Sequence, residues 1–117
     1  MGATLFTIKQ MTQLIQDDLN SLHHFDPSTC TAKAKAWLEY VEAQLEEWKQ
    51  QLNREQSLAP DSIDLLLQSL EWEMEHCRMK LKNSDVQIDW RFDYYRFIRG
   101  LKHDVFTLKQ LAESLIA

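Results

Sequence analysis

VQIDWRFDYYRFIRG, residues 86–100, is the stretch on which the fold turns. Taken two at a time, Val86, Ile88, Trp90, Phe92 and Tyr94 alternate with Gln87, Asp89, Arg91 and Asp93, as in a half-buried strand. Taken at steps of three and four, Trp90, Tyr94, Phe97 and Leu101 form one face of a helix. That helical stripe continues in phase through Gly100 to Val105, Leu108, Ala112 and Leu115, a register that a strand ending at Tyr94 would leave to chance. The strand also lacks a mate, because no other segment shows such alternation, and long flat edges that pair between chains are an aggregation hazard. A continuous or mildly kinked helix is expected, with Gly100 costing about 1 kcal/mol relative to Ala. An intermolecular strand over 86–94 stays as the alternative.

The rest of the chain agrees with helix. Its 117 residues suit a single domain, 1–117, and 44% hydrophobic with 26% charged is globular composition. Two glycines and two prolines supply too little turn chemistry for a many-stranded fold. Ile8, Met11, Ile15, Leu19 and Leu22 mark a first helix, with Thr7 and Gln10 as a capping box. Asp26-Pro27 reads as N-cap and first turn of a second, striped by Cys30, Ala34, Trp37, Val41, Leu45, Trp48 and Leu52. Asp61 and Asp64 cap a third, whose stripe is Ile63, Leu67, Leu70, Met74, Cys77 and Leu81 with Leu66 beside it. Asn83 is a left-handed stop, and Ser84 with Gln87 a further capping box. The expected fold is all-α, an antiparallel up-down bundle of about four helices over roughly 5–23, 27–56, 61–82 and 85–116, the first and third shorter than the others.

Some apolar residues are surplus to such a bundle. Leu65, Trp72 and Met79 lie seven apart, about 180–220° from the third helix's stripe, and Ile88, Phe92, Tyr95 and Phe106 lie well away from the Tyr94 stripe. Either they pack inside an irregular bundle or they form an oligomer seam or partner-binding face, with Arg91, Arg96 and Arg99 as a charged rim.

Catalytic and metal chemistry is sparse. Glu73-x-x-His76 is a single helical Glu-x-x-His unit where carboxylate-bridged di-iron bundles need two, and a solvated face is expected there. His23-His24 with Cys30, and His76-Cys77, lack zinc-site spacing. If the second and third helices form a hairpin about 58–59, Cys77 faces residue 40 and lies about 15 Å from the level of Cys30, so two buried reduced thiols are expected. No nucleophile–base arrangement or phosphate-cradling loop is present, so no enzyme activity, catalytic residue, cofactor or metal is expected. His76 and His103 are the places where a histidine phosphotransfer bundle could act, but neither is followed by the Lys and Gly of such domains. Arg91, Arg96, Arg99 and Lys102 among aromatics resemble a single-strand stacking platform, but Asp89 and Asp93 sit among them, and no nucleic-acid role is expected.

Charge is divided along the chain. Residues 1–77 hold thirteen Asp/Glu against five Lys/Arg, and residues 78–117 five against eight, which suits self-complementary antiparallel packing or a partner of mixed charge. No signal peptide or membrane span is read, so a cytoplasmic setting is expected, unless secretion proceeds without a signal. In size, acidity and helical form the whole chain resembles small bacterial proteins that silence a larger toxin or effector, such as the Legionella inhibitors of ubiquitin-deamidase effectors. The likeness carries no single residue across and implies a regulator that binds another protein. The expectation is a non-enzymatic interaction module, homodimeric, that occludes a partner's surface; the alternatives are a histidine phosphotransfer bundle or a purely structural, oligomerising helical protein.

Overall fold

The computed structural model describes residues 2–25, 32–82 and 90–116, with the side chains of 2–4, 90 and 91 outside that description. Four helices follow one another: α1, Gly2–His24; α2, Ala32–Glu55; α3, Pro60–Lys82; and α4, Trp90–Ile116. The described residues contain no strand. α3 packs most extensively on α4, and α1 packs on both α2 and α4. Edge contacts give the directions. Lys49 Nζ donates to Gln16 Oε1 at 2.6 Å while His23 meets Glu42 at 3.1 Å, and Lys109 meets Asp64 at 2.6 Å while Lys102 meets Glu71 at 3.1 Å. In both pairs of helices rising numbers on one meet falling numbers on the other, as an up-down antiparallel bundle requires.

α4 runs unbroken through Gly100, so the opening stretch is helix from residue 90 onward. Residues 86–89, and with them Ile88, lie outside the described residues. Tyr94, Leu101, Val105, Leu108 and Ala112 are all buried, and this continuous stripe holds the helix together across the glycine. Gly100 itself is on the exposed side, where an added Cβ would meet nothing within 4 Å.

Several boundaries differ from the sequence reading. α1 begins at Gly2, so Thr7 and Gln10 stand inside the helix and not at its cap; a helix already packed through Met11 extends past a weak local start signal. α1 and α3 have 23 residues each and α2 and α4 have 24 and 27, so all four are about 35–40 Å long and the expected overhang shrinks. α2 stops at Gln56, whose φ of 56° is left-handed and whose N–H donates to Leu52 O at 2.9 Å. The chain then tucks Leu58 into the core. Pro60 opens α3, and Ala59 O accepts both the Ser62 N–H at 3.1 Å and the Ser62 hydroxyl at 2.8 Å. The capping group is thus this carbonyl turn, and Asp61 and Asp64 lie within the first turns. Asp26-Pro27, Cys30, Asn83, Ser84 and Gln87 lie outside the described residues.

The core is rotated relative to the expected stripes. Leu38, Leu66 and Ile98 are buried, whereas Trp37, Leu67, Met74 and Phe97 are half-buried at its margin. A bundle helix touches more than one neighbour, so its buried arc is broad and centred between them rather than on the most hydrophobic line.

Candidate protein-interaction face

The outer side of α3 is apolar where the bundle does not need it. Leu65, Trp72 and Met79 are 66%, 56% and 55% exposed and follow one another at heptad spacing. Ile63, Leu66, Leu70 and Cys77 fill the core from the opposite arc, which leaves these three pointing away. Trp72 is held in place: His76, one turn on, stacks against the indole at 5.3 Å between ring centroids and 8° between planes. Lys33 Nζ of α2 stands 5.5 Å from the same ring, within cation–π range.

α4 contributes a second set. Phe92 and Phe106 are exposed, the Arg96 guanidinium lies 5.8 Å from the Phe92 ring, and Arg99 is exposed as well. Between the two sets runs an open cleft of about 340 Å³ lined by Glu71, Met74, Glu75, Arg78, Tyr95 and Lys102. Arg78 pairs with Glu75 at 2.7 Å, and Lys102 bridges the cleft to Glu71. Tyr95 departs from the expectation of an outer apolar face. It is half-buried and packed against the core, because its position on α4 faces the α3 groove, where the ring has a wall to lie on. The Arg91 side chain and Ile88 lie outside the described residues.

Glu73 corrects a second expectation. It is not on a solvated face: it is 6% exposed, its carboxylate accepts the Tyr94 hydroxyl at 3.0 Å, and the Cys77 thiol lies 3.9 Å away on the next turn. Cys77 is buried as expected. The helix register differs, however. Trp37 Nε1 donates to Ser69 Oγ at 2.9 Å and Lys33 reaches Trp72, so residue 40 faces α3 well before Cys77, which stands level with a point beyond the start of α2. α2 and α3 are not among the closely packed helix pairs and meet through side chains such as these, so the turn that joins them does not fix their register.

Asp18 is the polar core residue that the sequence reading missed. It is 4% exposed, its Oδ2 has no hydrogen-bond partner, and Asp104 of α4 stands opposite. Burial, then the hydrogen bond and charge of Asp104, push its pKa up to about 9, so Asp18 is protonated at neutral pH. Both acids carried a signal. Asp18 falls seven residues after Met11 and Glu73 seven after Leu66, each in the register of buried residues.

Among the described residues no three His, Cys, Asp or Glu side chains gather as a metal site, and no helix is long and apolar enough to cross a membrane. Comparison with protein-family models, curated proteins and solved structures found no match. What bears on function is therefore the chemistry of the exposed face itself.

Proposed function

We propose that this chain is a non-enzymatic protein-interaction module, a regulator or inhibitor that covers a partner protein's working surface. The observation that carries it is the set of large apolar side chains, Leu65, Trp72, Met79, Phe92 and Phe106, left exposed on the two helices that pack most closely together. Isolated exposed apolar residues are ordinary, but a line of them at heptad spacing beside arginines has the composition of binding anchors and rim. Arg96, its guanidinium 5.8 Å from the Phe92 ring, adds a cationic edge suited to an acidic or mixed-charge partner, and binding would act by occlusion.

The test is affinity capture by the tagged chain from lysate of its source cells, read by mass spectrometry against variants. A protein retained by the parent and by Glu47→Ala, an exposed change on α2, but lost with Phe92→Ala or Arg96→Glu supports the reading. Equal capture by the parent and all the variants overturns it.

A further inference from the structure

The exposed line on α3 is symmetric about Trp72. Leu65 and Met79 lie seven residues to either side and Gln68 and His76 four; Asp61 ends the line at one extreme, and near the other Lys80 and Lys82 stand about 80° to its two sides. At 100° per residue, Asp61, Leu65 and Met79 all fall within about 20° of Trp72 around the helix. Asp61, Lys80 and Lys82 are exposed along with the three apolar residues.

Any helix favours acid at its start and base at its end through its dipole. Here the two charges also flank an apolar line at nearly equal distance from its centre, which makes the helix complementary to itself in one orientation. Laid antiparallel across a two-fold axis at Trp72, two copies place Leu65 on the second copy's Met79, Gln68 level with the second copy's His76, and Asp61 beside the second copy's Lys82. Laid parallel, they set Asp61 against Asp61 and Lys82 against Lys82.

We infer that the outer face of α3 is a homodimer seam, occupied by a second copy of this chain running antiparallel, with the two-fold axis at Trp72. The indole is already held by His76 and Lys33, so little side-chain freedom is lost when the seam closes. A contact of one helix per copy lies at the small end of interface sizes, and the dimer is reversible at micromolar concentrations. The inference rests on the interaction reading above. It assigns α3 to self-association and leaves Phe92, Arg96 and Arg99 of α4 for the other protein.

Sedimentation of the purified full-length chain, from low to high hundreds of micromolar, gives the dimer dissociation constant. Trp72→Ala raises it about thirtyfold or more with unchanged circular dichroism. Asp61→Lys weakens the dimer, and adding Lys82→Asp restores it. Mixing Leu65→Cys copies with Met79→Cys copies yields a disulfide that mass spectrometry maps to 65–79, while Leu65→Cys alone yields no 65–65 bond. A chain that stays monomeric across the range, a Trp72→Ala dimer of parental strength, or a dominant 65–65 bond overturns the seam. A monomer that captures a partner through Phe92 overturns the seam and leaves the interaction reading standing. A dimer that captures nothing does the reverse.

Discussion

The α3–α4 seam and the α1–α4 seam each bury one carboxyl group, and they treat it in opposite ways. Glu73 lies beside a donor, the Tyr94 hydroxyl at 3.0 Å, with the Cys77 thiol nearby. Asp18 lies opposite another acid, Asp104, with one oxygen unpartnered. Burial alone therefore does not decide how a buried acid is satisfied. Glu73 has a hydroxyl donor beside it, whereas burial and a second carboxyl favour the protonated form of Asp18.

The largest expected effect breaks this contrast at Asp18. Its pKa of about 9 in the fold lies above the ordinary 3.8, so the native state holds a proton that the unfolded chain releases between those values. Its contribution to stability is complete below about pH 4 and is lost as pH rises to about 9. Urea denaturation at a series of pH values should show the parent losing stability relative to Asp18→Asn by up to about 1.4 kcal/mol per pH unit within that window. Asp104→Asn should lower the upper limit of that window without closing it, since burial is the leading cause of the shift.

Next comes the donor on the other seam. Tyr94→Phe leaves Glu73 buried without its hydroxyl partner and should cost about 1–3 kcal/mol, measured by chemical denaturation. The double variant Tyr94→Phe with Glu73→Leu should recover much of that loss, because replacing both polar partners by apolar groups removes the buried carboxyl group that has lost its hydroxyl donor.

Two backbone changes serve as references away from both acids. Gln56→Gly relieves a left-handed non-glycine residue and Gly100→Ala fills an open position on a continuous helix, and each should raise stability by about 0.5–1 kcal/mol. Smallest of all, at protein concentrations too low for self-association, Trp72→Ala should change thermal stability by no more than about 0.5 kcal/mol, as expected for a side chain outside the core. A large loss of stability in that variant under those monomeric conditions would move Trp72 from a binding role into the fold.

Much of the fold was legible in the residues. The in-phase stripe across Gly100 identified α4 as helix, and the spacing of Leu65, Trp72 and Met79 placed them outside the core, where they are exposed. Less legible were the residues one step around each wheel. Leu67 and Met74 looked central on α3, but Leu66 and Glu73 take the interior; Tyr95 looked external on α4 but is half-covered by α3. Thr7 and Gln10 satisfied a capping pattern that the longer α1 overran.

By itself the sequence determined the number of helices, their approximate extents and the side of α3 left apolar toward the outside, because periodicity and turn chemistry are local properties of the chain. The tertiary structure decided how far each helix is turned about its axis. That rotation depends on which two neighbours a helix touches, and it alone placed Glu73 against Tyr94 and Asp18 against Asp104. A heptad pattern narrows a helix face to a broad arc, and only packing against other helices selects the line within that arc that goes dry.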